Sequence, residues 1–155
     1  MHGMRRLAPF LLILSALAGV VGHSVRAAEP PIVVIIHSDG VSRGLSEQTL
    51  ARIFLRKQSF WQDSVRIQPV NLPVSNPLRR VFSRSVLGAL PEDLEDYWRD
   101  MYFHGVLPPH VFGSEEAVQI FVATTPGAIG YISNCPTEAA VSLSMIIGDI
   151  RGCPH

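Results

Sequence analysis

Apolar and polar residues recur along the chain with two different periods, which predict interleaved strands and helices. The run Ile32–Ile36 is apolar at every position and rich in β-branched residues, as is typical of a strand buried on both faces. Further strands are predicted in "SVRIQPVNLP", "AIGYIS" and "AVSLSMII", and Pro69 indicates that the first of these lies near an edge of the sheet. The segment "VLPPHVFG" is predicted to be a loop.

Helical spacing of apolar residues marks four segments between these strands. In "LSEQTLARIFLRK", Ser46 is a predicted N-cap and Leu45 can pack against Leu50. Three more helices are predicted in "PLRRVFSRSVLGAL", "LPEDLEDYWRDMYFHG" and "SEEAVQIFVATT". The helix in "LPEDLEDYWRDMYFHG" is expected to bury residues at three- and four-residue spacing: Leu94, Tyr97, Trp98, Met101 and Tyr102. The alternation of strands and helices predicts a three-layer α/β domain with a mainly parallel or mixed sheet.

Residues 1–27 have the pattern of a secretory signal peptide. Arg5 and Arg6 precede the apolar stretch "LAPFLLILSALAGVVG", and small residues in "SVRAA" favour cleavage after Ala27. The apolar stretch is short for a membrane span and contains Pro9, so a stable membrane anchor is not expected. The prediction is an exported protein whose residues 28–155 form one domain.

The charge and the cysteine content limit the binding partners and the covalent links expected for the exported part. The chain has thirteen basic and thirteen acidic residues, and three of the basic ones but none of the acidic ones precede Ala28. A slightly acidic surface argues against nucleic-acid binding. Cys135 and Cys153 are expected to form a disulfide in an oxidising compartment, the alternative being a metal site with His155.

The stretch "NLPVSNPLRRVF" carries the candidate anion site. A helix start attracts anions through its unpaired N–H groups, and a guanidinium fits phosphate or carboxylate geometry. If Arg79 curls back over the helix start, the ligand-binding residues are Ser75, Asn76, Arg79 and Arg80. The alternative is that Asn76 caps the helix, Pro77 fixes its first turn, and the arginines are solvated or paired with Glu92, Asp93 or Asp96.

Other polar residues give weaker indications. His37, Ser38 and Asp39 follow the first strand, where loops often hold ligands, but an ordinary turn explains them equally. His104 and His110 lack further partners at metal-ligand spacing, so no metal and no cofactor is predicted. The sequence has no nucleophile elbow, P-loop or zinc-protease motif, and we expect no catalytic activity.

Three ordered segments resemble periplasmic phosphate-binding proteins of ABC transporters. They are "LSEQTLARIFLRKQSFW", "RIQPVNLPVSNPLRRVF" and "TTPGAIGYIS", which together span Leu45 to Ser133. The resemblance implies one lobe of a type 2 periplasmic-binding-protein-like fold, a periplasmic location and a phosphate ligand. In the family a Ser-Gly-Thr loop binds phosphate, whereas the matching positions here hold Asn76, Pro77 and Leu78, with Ser75 displaced by one residue.

The resemblance and this departure leave two functions open. The first is a compact one-lobe module that binds phosphate or another small oxyanion in association with ABC transport, with a second subunit in place of the missing lobe. The second is a protein that has kept the fold without the ligand and binds an envelope transporter or sensor protein through an exposed surface.

Overall fold

The computed structural model describes residues 29–38, 45–150 and 153. The signal-peptide prediction for residues 1–27, and Asp39 and His155, lie outside the described residues. The elements are β1 (Ile32–His37), α1 (Glu47–Phe54), β2 (Gln68–Asn71), α2 (Pro77–Phe82), a π-helical turn (Ser83–Leu87), a 3-10 turn (Glu92–Leu94), α3 (Glu95–Phe103), β3 (His110–Val111), α4 (Glu115–Thr124), β4 (Ala128–Ile132) and β5 (Val141–Ile147).

The five strands form one mixed sheet in the order β3-β2-β4-β1-β5. The strand β1 runs antiparallel to both of its neighbours, with Val33 opposite Ile132 on β4 and Ile146 on β5. The strand β2 runs parallel to both β3 and β4. The prediction of an α/β domain is therefore confirmed in its mixed-sheet form, because β1 has two antiparallel partners and β2 has two parallel ones.

Helices cover both faces of the sheet, and two successive residues of β4 contact helices on opposite faces. A Cβ atom placed on Gly130 would lie 2.5 Å from Val118 and 3.4 Å from Val122, so this face packs closely against α4. The next side chain, Tyr131, points to the opposite face because side chains alternate along a strand. There its ring contacts Phe54 of α1 and stacks on Phe82 of α2, with ring centroids 5.8 and 3.9 Å away. These contacts confirm the three-layer arrangement.

The helix α1 forms as the sequence predicts. The side chain of Ser46 accepts a hydrogen bond from the Thr49 N–H at 3.1 Å, which confirms the predicted cap. Leu50, Ile53 and Phe54 are buried, so the predicted apolar face lies in the core.

The strand β2 lies next to the edge strand β3, so the prediction that β2 lies near an edge of the sheet is confirmed. The two-residue β3 replaces part of the predicted loop "VLPPHVFG" and pairs only with Val70 and Asn71. No β3 residue lies opposite Pro69, so its missing N–H leaves no gap in that ladder.

Two predicted helices differ from the structure. The α-helical part of "PLRRVFSRSVLGAL" ends at Phe82, and the π-helical turn that follows ends at Gly88, which has φ of 72° and donates its N–H to the Ser83 carbonyl. The expected core face of the third helix is only partly confirmed. Leu94 is buried and Tyr97, Trp98 and Met101 are half-buried, whereas Tyr102 is 64% exposed. The Tyr97 hydroxyl donates to the carbonyl of Leu55 at 2.6 Å, so α3 lies against the end of α1 and leaves its other side in solvent.

Candidate functional site

The start of α2 is closed by its own cap. Asn76 has extended backbone angles, and its side-chain oxygen accepts hydrogen bonds from the N–H groups of Leu78 at 2.8 Å and Arg79 at 3.4 Å. Pro77 occupies the first helical position, where a missing N–H costs nothing. The cap is therefore Asn76, as the alternative predicted, and two of the N–H groups at the helix start are already bonded.

Arg79 is the unusual residue of this segment, because its side chain is only 6% exposed. Its Nη1 donates a hydrogen bond to the side-chain oxygen of Asn71, at the end of β2. The same oxygen accepts from the Tyr131 hydroxyl at 3.1 Å, and that hydroxyl accepts from the Leu72 N–H at 3.4 Å. A small polar network thus joins α2 to β2 and β4 inside the core.

The guanidinium of Arg79 lacks a negative partner. Among the described residues no carboxylate pairs with it, and its Nε is buried without a hydrogen bond. A buried charge is costly unless it is paired and its hydrogen bonds are satisfied. The guanidinium of Arg79 is bonded instead to the neutral amide oxygen of Asn71, and no described residue balances its positive charge.

Arg80 is engaged differently. Its guanidinium forms a bidentate ion pair with Glu92, at 2.9 and 2.8 Å, on the protein surface. The hydrogen bond from Arg80 holds the pKa of Glu92 below its ordinary value, and the same contact raises the pKa of Arg80. An anion would have to compete with Glu92 for this side chain.

An open groove of about 790 Å³ brings most of these residues together. Ser75, Arg79 and Arg80 line it, as does Asn71, while Asn76 does not. The opposite wall is largely apolar and is formed by α3 and the segment before and within β3: Trp98, Tyr102, Pro108, Pro109 and Val111. The groove therefore combines a buried cation and a serine hydroxyl with a broad apolar wall.

Asn71 and Tyr131 are functional candidates that the sequence prediction missed. Asn71 could have been identified from the sequence, because it is a polar residue at the carboxyl end of a buried strand. Nothing in the sequence marks Tyr131 as a functional residue, because "GAIGYIS" has the pattern of an ordinary packed strand. These two residues hold the guanidinium of Arg79 in place.

The remaining candidate residues lie elsewhere. The ring nitrogen Nδ1 of His104 lies 2.8 Å from the carbonyl oxygen of Asp100 in its own helix, and His110 is in β3. No three metal-ligating side chains cluster within residues 29–38, 45–150 and 153. Cys135 and Cys153 form a disulfide, so that prediction is confirmed and the alternative metal site is wrong. In the same part of the chain no helix has the length and apolarity that a membrane span requires.

The buried phenol of Tyr131 gives the first testable prediction. Burial raises the pKa of Tyr131 above its ordinary value near 10, while the positive charge of Arg79 partly opposes this. Above about pH 10 the unfolded chain loses the phenolic proton more readily than the folded one, so this contribution to stability is lost as pH rises through the folded pKa. We expect Tyr131→Phe to reduce the fall in unfolding free energy above pH 10, measured by denaturant titration.

The pKa of Tyr97 is also raised, by partial burial and by Asp100, so Tyr97→Phe is the comparison variant. An alkaline slope that is the same in wild type and Tyr131→Phe would contradict the assignment to the buried phenol.

The fold has relatives among solved structures. A phosphate transport receptor of the ABC type from Vibrio cholerae matches with a TM-score of 0.59 and 18% identity over 74% of this chain and 45% of its own. A putative phosphate ABC transporter substrate-binding protein from Clostridium perfringens, solved with bound phosphate, matches with a TM-score of 0.59 and 19% identity over 74% and 44%. PstS from Borrelia burgdorferi matches with a TM-score of 0.51 and 16% identity over 66% and 41%.

Neither a protein-family model nor a curated protein matches the chain. The chain spans less than half the length of each of these three structures. At this level of identity the likeness concerns the fold alone. This protein has the α/β fold of part of a phosphate ABC transporter substrate-binding protein.

Proposed function

We propose that this protein is an exported solute-binding module that binds a small oxyanion, phosphate first, at the groove beside Arg79. In this proposal the signal peptide is cleaved near Ala27, the protein works in the periplasm in association with ABC transport, and it has no catalytic activity. The ligand contacts Arg79 and Ser75, with Asn71 as a positioning residue. Arg80 becomes a third contact only if the ligand displaces Glu92.

The single observation that supports this proposal most is the buried guanidinium of Arg79, which has no carboxylate partner among the described residues. A charged side chain that served only packing would cost several kcal/mol of desolvation without return. An oxyanion in the groove would balance this charge. Phosphate is the first ligand to test, because a phosphate transport receptor and a putative phosphate transporter substrate-binding protein share this fold.

The proposal predicts that binding and stability respond differently to Arg79→Met. Methionine keeps an unbranched apolar stem but removes the charge, so we expect phosphate to bind about 30-fold more weakly. The unfolding free energy should change by less than about 1 kcal/mol or increase, because replacing a buried charge by an apolar group is often neutral or stabilising. Asn71 keeps the hydroxyl of Tyr131 as a donor in the variant.

Calorimetric titration with phosphate at low salt and chemical unfolding measure the two effects. Arg84→Met is the matched control, because Arg84 is exposed, lies outside the groove and carries the same charge. Wild-type protein that gives no heat with millimolar phosphate would overturn the proposal. So would unchanged binding in Arg79→Met, and a large loss of stability in that variant would make Arg79 a structural residue.

A second candidate function is supported by the apolar rim, which we define as Val74, Tyr102 and Val111. These three groove-lining residues are 62%, 64% and 61% exposed. Exposed apolar patches with polar surroundings are typical of protein interaction sites. If phosphate does not bind, the rim is the surface to test for contact with an envelope transporter or sensor protein.

A further inference from the structure

A second cavity, of about 610 Å³, lies between the end of α1, the start of β2 and the segment before β3. Its described lining includes Arg56, Ser59, Arg66 and His110, and it includes no aspartate or glutamate. This composition differs from that of the groove beside Arg79, where Glu92 and Glu95 contribute negative charge. The second cavity is therefore lined by hydrogen-bond donors and positive charge without acidic partners.

The two arginines of this cavity are not used by the described part of the fold. Neither guanidinium has a hydrogen bond or ion pair to a described residue, and the Nε of Arg56 is buried without a partner. Burial, followed by the positive charge of Arg66, lowers the pKa of Arg56 from its ordinary value. The two cations thus lie close enough to repel each other, and an anion between them would relieve that repulsion.

The backbone of Arg56 adds an independent observation. Arg56 has φ of 59° and follows the C-cap of α1, with its N–H bonded to Ile53 and the next N–H bonded to Arg52, both at carbonyl oxygens. This is the Schellman arrangement, whose left-handed position is usually occupied by glycine. A side chain in this conformation is unfavourable, and such strain often lies at functional sites. The arginine here is therefore unfavourable in backbone conformation, and its half-buried side chain lines the cavity together with the exposed Arg66.

We propose that this cavity is a second anion site, which takes an oxyanion carrying at least two negative charges between Arg56 and Arg66. Each guanidinium can offer a pair of N–H donors to such a ligand, and the Ser59 hydroxyl lines the same cavity. A singly charged ion would leave one of the two cations unbalanced. The site is separate from the groove beside Arg79 and does not depend on the function proposed for it.

The test is calorimetric titration of the oxidised protein with pyrophosphate and with citrate at low salt. We expect binding in wild type and in Arg79→Met, where the groove site is disabled, and at least a tenfold loss in Arg56→Gly and in Arg66→Gln. Arg52→Gln is the matched control, because it removes one exposed positive charge from the same helix outside the cavity. Preference for pyrophosphate would assign a phosphate-type ligand, and preference for citrate a carboxylate-type ligand.

Arg56→Gly carries a second readout that a purely structural arginine would not give. Glycine removes the strain at positive φ and the repulsion with Arg66, so we expect the melting temperature to rise by roughly 2–6 °C while binding falls. Equal binding of both probes by wild type, Arg56→Gly and Arg66→Gln would overturn the proposal. So would an equal loss in Arg52→Gln, which would show only a general charge effect.

Discussion

Gly127→Ala should destabilise the protein by about 3–4 kcal/mol, the largest effect that we expect from a single methyl group. Gly127 has φ of 78°, a conformation that costs an L-residue about 1–2 kcal/mol. The added Cβ would also lie 2.3 Å from the carbonyl oxygen of Arg66 and 2.9 Å from Val65. Relieving that overlap requires a backbone shift, and overpacking of this kind typically costs a further 1–3 kcal/mol, roughly.

Two other glycines distinguish the cost of positive φ from the cost of the steric overlap. Gly105 has φ of 74° but nothing within 4 Å of an added Cβ, so Gly105→Ala should cost only about 1 kcal/mol. Gly113 has neither feature in the structure, and Gly113→Ala should be close to neutral. Urea unfolding of the three variants measures the series. Similar losses for Gly127→Ala and Gly105→Ala would show that the backbone contact with Arg66 is not the cause.

Reducing the disulfide between Cys135 and Cys153 should remove about 3 kcal/mol of stability, as expected for a loop that joins residues 18 apart in sequence. The loop contains β5, an edge strand that pairs only with β1 and has no fully buried residue. Losing the tether should therefore open β5 before the rest of the sheet. Chemical unfolding with and without a phosphine reductant measures the global effect.

Hydrogen exchange locates the effect of reduction. We expect amide protons of β5 to exchange faster in reduced protein, while those between β2 and β4 serve as the internal reference. The double variant Cys135→Ala, Cys153→Ala should match the reduced protein. Uniform acceleration across all strands would show that β5 does not open separately from the remaining sheet.

Local signals allowed α1 and β1 to be predicted with nearly correct limits. Ser46 and the spacing from Leu50 to Phe54 act within one helix, and the apolar run of β1 reflects burial on both faces. Pro69 indicated that β2 lies near an edge, but the strand beside it was not predicted. The two residues of β3 pair with β2 from a distant segment whose own sequence has the pattern of a loop.

Only part of the candidate site could be predicted, because some of its contacts are local in sequence and others join separate strands. The cap at Asn76 follows from local chemistry, and the pairing of Arg80 with Glu92 was among the stated alternatives. The burial of Arg79 depends on Asn71 and Tyr131, which the sheet brings together from separate strands. Adjacent arginines look alike in sequence, although one lies in the core and the other in solvent.

The position of β1 has a consequence for the order of folding. Among the described strands β1 comes first, yet it lies between β4 and β5, so Val33 meets its two partners, Ile132 and Ile146, only after the long intervening segment has been made. Contacts of such long sequence separation slow folding, because the intervening chain must first be closed into a loop. Until β4 emerges, β1 has no neighbouring strand to pair with, and the nascent polypeptide cannot complete its sheet. The proposed export would benefit from this delay, because a chain that is still unfolded can be threaded through an export channel.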